Sequence, residues 1–321
     1  MVPVYSEKVV DKLLFEPIHK GANHLCILAL RATPSMASWL ITTYAERHLG
    51  NIAIELIVEN TAENGINSVL HQGFKELQIS SSMQLQKSFS CSYLYQPPAT
   101  EENYYIWFRD EMPIQAISCS YDFTQASLLR NNTGGFTARA VPYAYSLYEK
   151  IIGRTIYCNH SEVEDYIVIH SSNSAYAVTN SEQTENSVLL PLITKRTGEP
   201  GTKSGLNWGQ RTKRNKNEAY IPLPHTIAKS GFFPLNKQHF LAVTDDHHTL
   251  QLRVEQQNDK AITTPASNAL LGEYFRNRLG LANGAYVHLD DLISYGRTDV
   301  LFCKIDEEQY YMDFSVNERK K

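Results

Sequence analysis

The sequence lacks the patterns that mark a membrane protein, a secreted protein or a metal-stabilised domain. It has no run of about 18 apolar residues, so we expect no transmembrane helix and no membrane partner. Charged residues at the amino terminus, Glu7, Lys8, Asp11 and Lys12, replace the apolar core of a signal peptide, which predicts a cytoplasmic protein. The five cysteines are scattered, which predicts reduced structural thiols and neither a zinc site nor a disulfide framework.

What is present is a globular composition with room for two domains. Hydrophobic residues make up 42% and charged residues 20% of the 321 residues, and a chain of this length can bury two separate cores. Polar stretches at residues 171–174 and 180–186 suit a linker. We therefore place one domain at residues 1–180 and a second at residues 188–321.

The two halves differ in their periodicity. In the first half, apolar runs at residues 24–30 and 52–58 alternate with helical spacing at residues 36–48, which predicts an α/β layer with a largely parallel sheet. In the second half, residues 300–305 alternate apolar and polar side chains and residues 270–279 have helical spacing. We expect that half to be mostly β.

A glycine-rich stretch of the second half concentrates positive charge. Between residues 195 and 218 lie seven Lys and Arg against two Glu, although the whole chain has a net charge of −4. The glycines and Pro200 predict an exposed loop. Because Arg and Asn bind base edges and Lys binds phosphates, the stretch is a candidate nucleic-acid contact. The alternative is a solvated connector.

Six motifs of the second half occur in a fixed order. They are SGLNWGQR at 204–211, EAYI at 218–221, KAITTPASN at 260–268, LLGEYFRNRLG at 270–280, YGRTD at 295–299 and YMDF at 311–314. The set resembles the carboxy-terminal recognition domain of the phospholipase D-type restriction endonucleases, the NgoFVII/BfiI group, which is similar to the DNA-binding pseudobarrel of plant B3 transcription factors. The resemblance implies a seven-stranded pseudobarrel whose arms, residues 207–216 and 260–268, grip the major groove.

Side-chain chemistry assigns roles within these arms. Arg211 and Arg214 are expected at base edges, because Arg pairs bidentately with guanine. Asn207 and Asn268 suit adenine or a turn, and Trp208 suits packing of the arm or base stacking. The expected phosphate contacts are Lys203, Lys213, Lys216, Lys260 and, on the predicted helix, Arg276.

An aromatic hairpin at residues 104–117 marks a second resemblance, in the first half. In phospholipase D-type nucleases a similar hairpin follows H-x-K and precedes G-S-x-N-F. Aligned with that pattern, the chain keeps Ser120. The replaced positions are Glu101 for the His, Asn103 for the Lys, Cys119 for the Gly and Asp122 for the Asn.

These replacements remove the groups that the family's chemistry needs. The resemblance implies a His that attacks phosphorus, a second His that protonates the leaving oxygen, and a Lys and an Asn that neutralise phosphoryl charge without a metal. Glu101 and Asp122 would instead repel a phosphodiester, so we expect a degenerate centre and no cofactor. A divalent metal on these two carboxylates is the alternative. No His of the first half is followed by a Lys two residues later.

Three functions fit these observations. The first is sequence-specific binding of double-stranded DNA by a subunit of a restriction-modification or phage-defence system. The second is an active restriction endonuclease that hydrolyses phosphodiesters through an intact partner chain or an unrecognised centre. The third is a transcription-like regulator. We favour the first, with the nuclease fold serving as the dimerisation domain of a homodimer or pairing with an active nuclease or helicase subunit.

Overall fold

The computed structural model describes residues 9–83, 89–130, 135–171 and 186–316. The chain divides into two compact units, Met1–Asn173 and Ser174–Lys321. The expected linker falls largely outside the described residues. Within the described residues, no helix is long and apolar enough to cross a membrane.

The first unit is built on a mixed sheet. Its strands are β1 (His24–Ala29), β2 (Ala53–Val58), β3 (Ile66–Asn67), β4 (Phe89–Leu94), β5 (Asn103–Arg109), β6 (Met112–Cys119), β7 (Phe136–Arg139), β8 (Thr155–Tyr157) and β9 (Ile169–His170). Seven strands form one sheet in the order β7-β6-β5-β1-β2-β4-β8, and β3 pairs with β9. β1, β2 and β4 run parallel, whereas β5 and β8 are antiparallel to their neighbours in this group. The expected α/β layer is present, but its sheet is mixed and not largely parallel as we expected, because four of its six strand pairs are antiparallel.

Helices cover both faces of this sheet. They are α1 (Glu16–His19), α2 (Pro34–Glu46), α3 (Thr61–Asn64), α4 (Ser68–Met83), α5 (Val141–Ile152) and α6 (Val163–Tyr166), with π-helical turns at Asp11–Phe15 and Ala126–Arg130. α2 begins after Thr33, whose Oγ1 accepts a hydrogen bond from the Met36 amide at 3.3 Å. This cap and Pro34 at the first helical position explain why α2 starts two residues before its apolar stripe.

Burial on both faces explains why the strands are continuous apolar runs. In β1, Leu25 and Ile27 pack into the core under α2, whereas Cys26 and Leu28 pack into the core under α5. Trp107 in β5 is also fully buried, and its indole Nε1 donates to the Leu13 carbonyl at 2.8 Å. This hydrogen bond holds the π-helical turn Asp11–Phe15 to the sheet.

The second unit is a strongly curved sheet. Its strands are β10 (Ser187–Pro191), β11 (Ile221–Pro222), β12 (His239–Thr244), β13 (Thr249–Glu255), β14 (Ala261–Thr263), β15 (Asp299–Lys304) and β16 (Gln309–Asp313). The order is β10-β15-β16-β12-β13-β14-β11, and the two edge strands β10 and β11 approach each other. The sheet thus nearly closes into the seven-stranded pseudobarrel that we expected.

Three helices and two 3₁₀ turns complete the second unit as described. They are α7 (His225–Lys229), α8 (Asn268–Arg278), α9 (Leu289–Tyr295), and the 3₁₀ turns Gly205–Gln210 and Gln257–Asp259. Aromatic rings fill the core: Phe233 lies 5.2 Å from both Phe302 and Tyr310, centroid to centroid. α8 packs on this core through Leu271 and Phe275, which are fully buried.

Arg276 is buried and is not placed to reach a phosphate, contrary to our expectation. Its side chain is fully buried in α8, and its guanidinium donates to backbone carbonyls. The acceptors are Ala285 at 2.8 Å, Gly272 at 3.1 Å, Leu206 at 3.1 Å and Asn217 at 3.4 Å. A charge can be buried when its donors are satisfied in this way. Arg276 therefore ties the first arm to the barrel.

We predict that Arg276→Met lowers the local free energy of unfolding by about 3 kcal/mol, because several buried carbonyls lose a charged donor. Hydrogen–deuterium exchange of residues 205–217 measures the effect in the full chain. Lys213→Met, at an exposed position, is the matched control and should stay within about 0.5 kcal/mol. Equal exchange in the two variants would contradict the structural role of Arg276.

Candidate functional site

The first arm begins with a buried amide. Asn207 lies in the 3₁₀ turn Gly205–Gln210 and is fully buried. Its Nδ2 donates to the Val287 carbonyl and its Oδ1 accepts from the Val287 amide, both at 2.8 Å. The side chain thus replaces a strand partner for residue 287. Asn207 is not free to pair with adenine, and that expectation was wrong.

Two glycines allow the arm to fold back on itself and on α8. A Cβ on Gly209 would lie 2.2 Å from the Asn215 carbonyl oxygen, and a Cβ on Gly272 would lie 1.7 Å from the Asn217 carbonyl oxygen. No side chain fits at either position. The Gly209 amide also donates to the Glu218 carbonyl at 2.7 Å. These close approaches fix the ends of the loop at residues 211–216.

The loop between these ends carries exposed cations. Arg211, Lys213 and Lys216 are exposed, as is Lys203 just before the 3₁₀ turn. Arg211 Nε donates to the Lys203 carbonyl at 2.8 Å, which brings the two segments together. The structure therefore groups these four candidate DNA contacts on one segment. Our expectation of an exposed loop holds for residues 211–216 but not for the buried turn before them.

Trp208 and Arg214 are placed together. The Arg214 guanidinium lies over the Trp208 ring, 4.0 Å from its centroid. Trp208 packs edge-on against Tyr220, with centroids 5.5 Å apart. Arg214 Nη1 also forms an ion pair with the Glu218 carboxylate. Trp208 is thus a packing residue of the arm, and one of its faces is covered by Arg214.

The second arm adjoins the first through main-chain pairing. β14 pairs with β11, so Lys260 just before β14 is placed beside the strand that follows the first arm. Lys260 is exposed, and its carbonyl accepts from the Leu223 amide at 2.9 Å. Asn268 is half-buried at the start of α8, and its carbonyl accepts from the Ala219 amide at 3.1 Å. Lys260 also lines a cleft of about 530 Å³.

In the first unit, the position expected for the catalytic Lys holds a buried amide. Asn103 opens β5 opposite Cys119 and is fully buried. Its Oδ1 accepts from the Leu30 amide at 2.8 Å, and its Nδ2 donates to the Cys119 carbonyl at 3.4 Å. Because its donors and acceptor are used by the main chain, Asn103 joins β1 to the hairpin and offers no charge to a phosphate.

The carboxylate at the position that we expect for the family Asn is paired with an arginine. Asp122 Oδ2 accepts from Arg31 Nε at 2.9 Å and from Arg31 Nη2 at 2.8 Å. We had expected Glu101 and Asp122 together to repel a phosphodiester, but Arg31 compensates the negative charge of Asp122. Glu101 and Ser120 are exposed at the same edge of the sheet.

A second Arg lies near this edge and was not foreseen. Arg139 Nε donates to Ser118 Oγ at 2.7 Å, and Arg139 Nη2 pairs with the Glu102 carboxylate. Hydrogen bonds from Ser118 and Arg139 lower the pKa of Glu102. Arg31 could have been found from the sequence, because polar residues directly after a buried parallel strand gather at one edge of the sheet.

His71 lies buried in the core of the first unit. Burial lowers the pKa of His71 to about 4, so this imidazole is neutral at physiological pH. Its Nδ1 contacts the Tyr93 hydroxyl at 3.1 Å in the core. Among the side chains that the structure describes, no group of three or more His, Cys, Asp or Glu is arranged to hold a metal ion.

We predict that Asn103→Leu destabilises the edge by about 2 kcal/mol, because the half-buried Leu30 amide loses its acceptor. Hydrogen–deuterium exchange of residues 24–31 and 112–119 is the measurement. The control, Glu101→Gln, alters an exposed side chain and should change exchange little. Unchanged protection in Asn103→Leu would mean that this amide does not hold the edge together.

Comparison with known families agrees with both halves of the structure. A model of the NgoFVII restriction endonuclease N-terminal PLD domain matches residues 7–165. A model of the NgoFVII C-terminal B3-like DNA-binding domain matches residues 180–306. No curated protein matches the chain. The predicted resemblance and fold class are confirmed: the chain belongs to the NgoFVII restriction endonuclease family, with a phospholipase D-like domain followed by a B3-like DNA-binding domain.

Proposed function

We propose that this protein is a sequence-specific double-stranded DNA-binding subunit of a restriction-modification or phage-defence system. Membership of the family links the chain to DNA binding in restriction. The proposal adds that the B3-like domain selects a short target sequence. It also adds that the phospholipase D-like domain serves assembly and has lost hydrolysis.

The grouping of exposed cations on one anchored loop carries the first part of the proposal. Lys203, Arg211, Lys213 and Lys216 project from a segment whose ends are fixed by Gly209 and by buried polar contacts. A rigid loop places each cation at a defined distance from the next, as binding to phosphates at regular spacing requires. A solvated connector would need none of these buried contacts.

The occupied edge of the first domain supports the second part. Phosphoryl transfer through a covalent intermediate needs a nucleophile and cations that are free to meet the phosphoryl oxygens. Glu101 lies where the nucleophile is expected, the Asn103 amide is bound to the main chain, and Arg31 is paired with Asp122. These placements support a loss of hydrolysis at this edge.

The alternative is an active endonuclease, and the two Arg residues at the edge favour it. Arg31 and Arg139 could meet phosphoryl oxygens if a partner chain supplied a nucleophilic His. Native mass spectrometry of the protein, alone and mixed with a neighbouring nuclease-like gene product, distinguishes the assemblies. A dimer of this chain supports the proposed assembly role, a mixed complex supports the alternative, and a monomer in both samples contradicts both.

Selection of bound duplexes from a random DNA pool tests the central proposal. We expect one short motif to be enriched at physiological salt, since the arms contact base edges as well as phosphates. Scrambling that motif in an otherwise identical duplex should lower affinity by at least about a thousandfold. Enrichment of no motif would overturn sequence-specific binding.

A double variant, Lys213→Ala with Lys216→Ala, separates phosphate contacts from base contacts. Each lost phosphate contact should reduce the slope of log K against log salt by about 0.9, so the pair should reduce it by about 1.8. Affinity for target and scrambled duplexes should fall by similar factors. Lys150→Ala, an exposed Lys of the first domain, is the control. An unchanged slope would exclude both Lys residues from the phosphate contacts.

A further inference from the structure

We propose that Trp208 and Glu218 are positioning residues that hold Arg214 in a single orientation for reading one guanine of the target. This inference rests on the proposed function, because it requires that the first arm enters a groove of DNA. It assigns roles beyond cationic contact: Trp208 supplies a flat support, and Glu218 orients the planar guanidinium.

Trp208 is itself held in place. The 3₁₀ turn that carries it is bound through its neighbours: Asn207 to Val287 on one side and Gly209 to Glu218 on the other. Tyr220 packs edge-on against the indole at an interplanar angle of 78°. The ring is therefore a rigid platform. The guanidinium 4.0 Å above its centroid gains a cation–π contact and loses the freedom to tilt.

Glu218 fixes the rotation of the guanidinium within that plane. The Glu218 amide donates to the Asn215 carbonyl at 3.0 Å, and its carbonyl accepts from Gly209. The carboxylate thus projects from a fixed main chain and accepts a hydrogen bond from Arg214 Nη1. Among the residues that the structure describes, Nε and Nη2 of Arg214 have no protein partner. These two donors match the O6 and N7 acceptors of guanine.

The charge of Glu218 favours a base over a phosphate. The carboxylate compensates the positive charge of Arg214, so a phosphate near this pair would gain little attraction and would meet a like charge. The edge of a guanine is neutral and suffers no such repulsion. Lys213 and Lys216, which are exposed in the same loop, are free to serve the phosphates. Within one loop, Arg214 then reads a base while Lys213 and Lys216 bind phosphates.

The test replaces each guanine of the selected duplex in turn by 7-deazaguanine, which lacks the N7 acceptor. For one guanine, the native protein should lose about tenfold in affinity. Arg214→Ala and Arg214→Lys should be insensitive at that guanine. Glu218→Gln, which keeps the shape of the side chain, should reduce the loss to about threefold and steepen the salt dependence, because Arg214 becomes free to meet phosphate.

Glu199→Gln is the matched control, since Glu199 is an exposed carboxylate of the same basic stretch. It should keep the native loss at that guanine. Trp208→Phe should preserve part of the discrimination and Trp208→Leu should abolish it. If a motif is enriched but Glu218→Gln retains the full tenfold loss, the positioning role is wrong while the proposed function stands. If no guanine of the motif depends on Arg214, the inference is overturned.

Discussion

The recognition arm depends on one buried guanidinium. Arg276 donates to four backbone carbonyls, and two of the acceptors, Leu206 in the 3₁₀ turn and Asn217 at the end of the basic loop, lie 70 and 59 residues away in sequence. Such a cluster is stable because each donor has an acceptor and water is excluded. The exposed cations of residues 211–216 owe their fixed positions to this interior contact. Arg276 thus holds the arm from the core of the second unit.

The need of backbone groups for hydrogen-bond partners also explains the contacts at the edge of the first domain. The half-buried backbone amide of Leu30, directly after β1, needs an acceptor, and the Asn103 side chain provides it. A Lys at this position could not accept that hydrogen bond. Asn103, at the position that we expect for the family Lys, therefore stabilises the edge and brings no cation to it. Arg31 and Asp122 form an ion pair at the same edge.

Much of the fold was predictable because its signals are local. Continuous apolar runs gave β1 and β2, and the aromatic hairpin gave β5 and β6, within a residue or two of the observed bounds. The strands of the second unit were partly foreseen by alternation. α9 was missed, although Asp291 accepts from the His288 amide at 2.7 Å and Gly296 ends the helix in the left-handed region, with φ 102°.

The sites were less predictable because their contacts are distant. Asn207 and Arg276 were assigned to DNA on residue type and motif position, yet their partners include Val287, 80 residues after Asn207, and Leu206, 70 residues before Arg276. No local sequence pattern indicates contacts between residues that are so far apart in the chain. The exposed Lys and Arg of the loop were identifiable because charge clustering is local. In the sequence, Glu218 is only an acidic residue within the basic stretch. Its ion pair with Arg214 is visible only in the structure.

Incubation of the protein with its selected duplex, first in EDTA and then in magnesium, tests the central claim most directly. The account predicts that the DNA is bound and remains intact under both conditions. Cleavage in EDTA would contradict it by revealing a metal-independent centre at this edge or elsewhere. Cleavage in magnesium alone would contradict it by giving Glu101 and Asp122 a metal-binding role.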